Sequence, residues 1–74
     1  MQIFIKSLSG KTITLDVDPY ESIISIKNKI QIKENVSIEN QKLIYINKIL
    51  RDDKTLKDYD IFCESTLYLV LSLL

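Results

Sequence analysis

Apolar and polar residues alternate from the first position of the chain. Met1, Ile3 and Ile5 fall on one side of an extended segment and Gln2, Phe4 and Lys6 on the other, the period of two that marks a strand. Leu8-Ser9-Gly10 follows, and its glycine supplies the positive φ of a hairpin turn. From Thr12 to Val17 the alternation resumes, with Ile13, Leu15 and Val17 on one face. Met1 to Val17 therefore predicts a β-hairpin.

Pro19 breaks the pattern. Ser22 has the short hydroxyl side chain of an N-cap. Ile23, Ile26 and Ile30 then recur at i, i+3 and i+7, a helical stripe that faces a core, with Lys27, Lys29 and Lys33 around it. Asn35 is placed to end that helix, because Asn tolerates a left-handed C-cap. Lys42 to Tyr45 predicts a short strand, Asn47 a turn, and Lys48 to Leu50 a brief return strand. Arg51 to Asp60 is polar with turn character, and Leu56 and Tyr59 within it predict a helical turn pinned to the core. Thr66 to Leu73 predicts the last strand, in which Leu67, Leu69 and Leu71 alternate with Tyr68 and Val70. A hairpin, a crossing helix and further strands make one α+β domain over residues 1–74, a mixed sheet wrapped on one helix.

Length and composition fit a single small domain: 74 residues, 46% apolar, with one Gly and one Pro. Ten basic residues balance ten acidic ones, and the pI is about 6.2, which gives no basic excess for nucleic acid. The apolar runs are far shorter than the ~20 residues of a membrane helix. Met1-Gln2-Ile3-Phe4 reads as a strand and not as a signal peptide. One cysteine, Cys63, cannot form an internal disulfide, so the expected compartments are cytoplasm and nucleus.

Catalytic chemistry finds little support. Histidine is absent, so Cys63 lacks the imidazole that usually activates a nucleophilic thiol, and no Cys/His set for zinc exists. The single Gly belongs to the hairpin, which leaves no phosphate-cradling loop. Asp16 with Asp18, and Asp52 with Asp53, fit polar turns and strand edges better than a carboxylate pair. No enzyme activity and no cofactor are expected. Surface remains. If Leu43, Leu69 and Leu71 face the core, then Ile44 and Val70 face water, and Leu8 stands in a turn. Exposed apolar residues signal a binding site when they gather into one patch.

Met1-Gln2-Ile3-Phe4, Gly10-Lys11-Thr12-Ile13-Thr14-Leu15, Asp58-Tyr59 and Glu64-Ser65-Thr66-Leu67 resemble the ubiquitin family, without gaps from Met1 to Leu74. The resemblance implies the β-grasp fold. It also implies a modifier that is activated at its C-terminus, attached to lysines of target proteins, and read by receptors. The implied receptor patch is Leu8, Ile44 and Val70, with Tyr68 where ubiquitin has His, flanked by Lys6, Lys42 and Lys48. A second patch is implied at Leu8, Val36, Leu71 and Leu73. The lysines that would accept further copies are Lys6, Lys11, Lys27, Lys29, Lys33 and Lys48, while position 63 is Cys. Expected partners are the activating and conjugating enzymes and ubiquitin-binding receptors, with the protein itself a monomer.

The departures from ubiquitin carry further expectations. Ser72 and Leu74 replace basic residues, and the closing Gly-Gly is not in this sequence. The small side chain of Ser72, with Tyr45 and Lys54, leans toward the neddylation modifier, which would make Ser72 the residue that selects the activating enzyme and cullins the targets. The alternative is a non-conjugated adaptor domain. The turn at Ile46-Asn47, where ubiquitin has Ala-Gly, predicts a strained Ile46 or an altered turn. Tyr20, Ile24 and Ile32 fall near one line on the helix, away from the buried stripe, and predict an exposed apolar face.

Overall fold

The hairpin forms as the alternation predicts. In the computed structural model, which describes residues 1–72, Gln2–Ser7 (β1) and Thr12–Asp16 (β2) pair antiparallel with Ile3 opposite Leu15 and Ile5 opposite Ile13. Ser7 N–H donates to Lys11 O at 2.9 Å, and Gly10 turns the chain at φ 88°.

The helix α1 spans Ile23–Glu34. Ser22 is its N-cap, and the hydroxyl accepts from Ser25 N–H at 3.3 Å. Two orphan donors of the first turn find carbonyls in the following loop: Ile23 N–H donates to Lys54 O at 2.8 Å and Ile24 N–H to Asp52 O at 3.3 Å. Asn35 closes the helix in the left-handed conformation, its N–H donating to Gln31 O at 2.8 Å. Ile23, Ile26 and Ile30 are fully buried. Lys27 is buried beside them, and its ammonium bonds Asp52 at 2.6 Å.

A short 3-10 turn at Ile38–Asn40, absent from the sequence pattern, leads into Gln41–Tyr45 (β3). The two-residue turn Ile46-Asn47 returns the chain as Lys48–Ile49 (β4). Leu56 is buried, and the helical turn expected there is a 3-10 turn at Lys57–Tyr59. Thr66–Leu71 (β5) completes a sheet of order β2-β1-β5-β3-β4. β5 runs parallel to β1 and antiparallel to β3. One face of this sheet packs Ile3, Ile5, Leu15, Leu43, Leu67 and Leu69 against the helix stripe, with Leu50, Leu56 and Ile61 closing the core.

Two sequence expectations about the last strand need correction. β5 ends at Leu71, and Leu73 lies outside the described residues. Leu71 is not a core residue but 46% exposed. β1 stops at Ser7, which pairs with Leu69, so Leu71 has no strand on that side to cover it.

The turn at Ile46 is strained as expected. Ile46 and Asn47 have φ of 47° and 65°, the left-handed pair of a type I′ hairpin turn. A non-glycine residue there costs about 1–2 kcal/mol, and glycine gives back about 0.5–1 kcal/mol of that through its greater entropy loss. Ile46 is 72% exposed, so little packing is lost by removing it. Ile46→Gly should therefore raise unfolding stability by up to about 1 kcal/mol, read as a higher urea midpoint at unchanged slope. Ile46→Ala, which keeps Cβ, should give less.

Glu21 braces the helix entrance. Its carboxylate accepts from Ser25 Oγ at 2.6 Å, Lys29 Nζ at 3.0 Å and Asp18 N–H at 3.1 Å. Burial pushes this carboxyl up, but the bonds from Ser25, Lys29 and Asp18 and the Lys29 charge outweigh it and hold it below its ordinary value of 4.5. Its contribution is therefore complete above pH 4.5 and is lost as pH falls through the lower folded value. Glu21→Gln should lower stability at about pH 7, and the deficit should shrink in urea titrations toward about pH 3.

Candidate functional site

The buried face of the sheet dictates the other face. Leu43, Leu67 and Leu69 point into the core, so their strand neighbours Lys42, Ile44, Tyr68 and Val70 point outward. The register then sets who meets whom. Ile44 lies opposite Tyr68, Lys42 opposite Val70, and Lys6 opposite Tyr68 from the other side. Ile44 and Val70 are half-buried by these neighbours, and Tyr68 is exposed. Cross-strand neighbours on one face have Cβ atoms about 5 Å apart, so the row is one continuous surface.

The row extends further than the sequence reading placed it. Ile49 on β4 stands directly opposite Ile44 and is 61% exposed. The signal was present in the chain. Two-residue turns pair the residues that flank them, Tyr45 with Lys48, and the next pair outward is Ile44 with Ile49.

Leu8 projects from the β1–β2 turn and is 81% exposed. The β1–β5 register ends one residue before it, at Ser7 opposite Leu69. Leu8 also lines a hollow of about 320 Å³ with Val36, Leu69 and Leu71. That hollow gathers three of the four residues of the implied second patch, and the fourth, Leu73, lies outside the described residues. The displaced Leu71 thus belongs to a surface hollow.

The lysines divide by environment. Lys6, Lys42 and Lys48 are exposed around the patch. Lys11 pairs with Glu34 at 3.0 Å. Lys29 and Lys33 donate to Asp16 O and Thr14 O at 2.8 and 2.9 Å, carbonyls of β2 at the edge of the sheet. Lys27 is held inside by Asp52. Ser72 is half-buried, and its N–H donates to Asn40 O at 2.7 Å.

Titratable groups are used structurally. Asp58 lies below its ordinary range because Thr55 N–H, and then the Thr55 hydroxyl, bond its carboxylate; the backbone bond is 2.9 Å. Cys63 is an exposed free thiol. Among the described residues no group of three or more His, Cys, Asp or Glu side chains is placed to hold a metal, and no helix is long and apolar enough to cross a membrane.

A family model described as "Ubiquitin family" matches residues 3–74. "Ubiquitin-like protein 1" of Schizosaccharomyces pombe is 41% identical over 73 residues, which are 99% of this chain and 94% of that protein. "Ubiquitin-like protein NEDD8" of Dictyostelium discoideum is 41% identical over 73 residues, 99% of this chain and 95% of that protein. "AN1-type zinc finger protein 4" of Mus musculus is 45% identical over 73 residues, yet the chain spans only 10% of its length.

The lysine environments have a direct readout. With an amine-reactive reagent in limited amount, followed by peptide mass spectrometry, Lys6 and Lys48 should label first. Lys27 should label slowest, by about tenfold or more, because its amine is reached only through local opening. Asp52→Asn should speed Lys27 labelling, since it removes the partner of a buried charge.

Proposed function

This chain belongs to the ubiquitin family, and from that premise we propose that it is a protein modifier, attached through its C-terminus to lysines of target proteins and read by receptors on the outer face of its sheet. The observation that carries the reading is the outward row of Ile49, Ile44, Tyr68 and Val70, flanked by Lys6, Lys42 and Lys48, with Leu8 exposed in the turn that follows β1. A receptor helix with apolar anchors and acidic ends is the complementary shape for such a row. Apolar residues at its centre would supply binding energy, and the lysines at its rim would supply orientation and on-rate.

Near-complete coverage of two similarly sized ubiquitin-like relatives supports attachment as a free-standing modifier. Ser72 supports a neddylation-type activating enzyme, because a small side chain at this point of the tail avoids a clash that Arg would make; cullins are then the target class. The single Cys63, with no partner for a disulfide, supports cytoplasm and nucleus as the compartments. A second reading is a non-conjugated adaptor domain, and the match that covers only a tenth of a zinc-finger protein favours it.

Thioester formation separates the two. The chain carrying two glycines after Leu74 is offered to purified ubiquitin-type and neddylation-type activating enzymes. Charging supports the modifier, and preference for the neddylation-type enzyme should weaken in Ser72→Arg. Failure on both enzymes, with receptor binding intact, favours the adaptor. In either case Ile44→Ala should weaken receptor binding by about 1–2 kcal/mol, roughly 5–30-fold, in a titration by calorimetry.

A further inference from the structure

A second apolar surface is separate from the patch. A groove of about 440 Å³ forms where the start of the chain meets the segments around Tyr20 and Phe62. Buried Ile61 and half-buried Met1 line it. Tyr20 and Phe62, 68% and 67% exposed, line it as well. Two of the six aromatic rings of the chain are thus held in water along one hollow.

The hollow is preformed. Lys57 N–H donates to Pro19 O at 2.9 Å, which ties the Tyr20 side to the Lys57 turn. Glu64 N–H donates to Gln2 O at 2.6 Å, which ties the Phe62 loop to β1. Ser65 closes that loop, its N–H bonding Phe62 O at 3.2 Å and its hydroxyl accepting from Phe62 N–H at 3.1 Å. The Met1 ammonium donates to Val17 O at 2.9 Å.

One charged side chain lines the groove, and it is a cation. Lys57 Nζ donates to the Tyr20 hydroxyl at 2.9 Å and lies 4.9 Å from the centre of that ring. No carboxylate among the described residues pairs with it. The nearby Asp18 and Asp58 carboxylates are engaged elsewhere, by Tyr20 N–H and Thr55 N–H. An ammonium already ordered at the rim of an apolar hollow lowers the entropy cost of pairing it.

We propose that this groove docks a peptide segment of a partner protein that presents an aromatic or large aliphatic side chain next to an Asp or Glu. The side chain fills the hollow between Tyr20 and Phe62, and the carboxylate meets Lys57. A second copy of the chain fits less well. Among the described residues, the large apolar side chains exposed outside the groove adjoin no Asp or Glu in sequence, and exposed Tyr20 adjoins only Glu21, whose carboxylate is held by Ser25 and Lys29. The proposal does not rest on the conjugation reading.

The test is selection of a random-peptide phage library on the immobilised chain, with synthetic versions of the enriched peptides measured by fluorescence anisotropy. Enriched peptides should carry the apolar–acidic pair. Their binding should fall about tenfold or more in the double variant Tyr20→Ser, Phe62→Ser and stay unchanged in Ile44→Ala. Lys57→Glu should weaken them several-fold, and selection on that variant should exchange the Asp or Glu preference for Lys or Arg. A trifluoromethyl tag on Cys63, which also lines the groove, should shift on addition of peptide. Amide spectra check the fold of each variant, and Lys57→Glu, at an exposed position, decides the matter should the double variant not fold. The proposal is overturned if no peptide enriches over the double variant, or if enriched peptides lack the carboxylate. It is equally overturned if sedimentation shows wild-type dimers that the double variant abolishes.

Discussion

Parallel pairing of β1 with β5 is the interaction on which the rest of this molecule depends. The other pairings of β1 and of β4 are hairpins closed by short turns and could form locally. β5 comes from the end of the chain and enters between the two hairpins, bonding β1 on one side and β3 on the other. Without it the sheet is two separate ribbons, each too small to be stable alone. With it, Ile5, Leu67, Leu69 and Leu43 become one apolar floor, and the stripe of Ile23, Ile26 and Ile30 has something to cover. The same insertion assembles the outer row, because Tyr68 and Val70 arrive on β5 between Lys6 on β1 and Ile44 on β3.

The helix is fastened to that floor by polar contacts as well as by its isoleucines. The loop after β4 supplies carbonyls to its first N–H groups and Asp52 to Lys27. Buried Gln41, on β3, donates to Lys27 O and Val36 O at 3.0 and 3.1 Å. On the far side, Lys29 and Lys33 reach to carbonyls of the edge strand β2. A charge on an edge strand discourages pairing with another chain, so these lysines shield the edge as well as fixing the helix. A domain this small hides only about 60% of the surface its unfolded chain exposes. Much apolar area stays in water, and function is decided by where it collects.

It collects in three places: the outer row around Ile44, the hollow beneath Leu8, and the groove between Tyr20 and Phe62. The first two are what the family resemblance implies. The third depends on aromatic residues at positions 20 and 62 and on Lys57, held against Tyr20. The single helix face expected from Tyr20, Ile24 and Ile32 does not form, because Tyr20 lies in the turn before the N-cap Ser22, and of the two residues that are on α1 Ile32 is 84% exposed but Ile24 only 36%. Tyr20 lines the groove instead, where its hydroxyl accepts from Lys57.

The sequence by itself determined the strands and the long helix, because each was written in a local pattern, whereas the 3-10 turn at Ile38–Asn40 was not. Alternation marked β1 and β2, the spacing of three isoleucines marked α1, and Ser22 and Asn35 marked its ends to the residue. The strain at Ile46 was also local, a matter of one side chain in a two-residue turn. The β-grasp arrangement was legible only through resemblance, since no local pattern states that the last strand lies parallel to the first. What tertiary structure alone decided was exposure at the ends of elements and adjacency between them. Leu71 keeps the core-facing phase of β5 yet is exposed, because the strand beside it has already ended at Ser7. Lys27 reads as a surface charge yet is buried, because Asp52 comes from a loop distant in sequence. Ile49 joins the row, and Phe62 lines one groove with Tyr20, for the same reason. Periodicity reports which way a side chain points, whereas burial depends on what another part of the chain places in front of it.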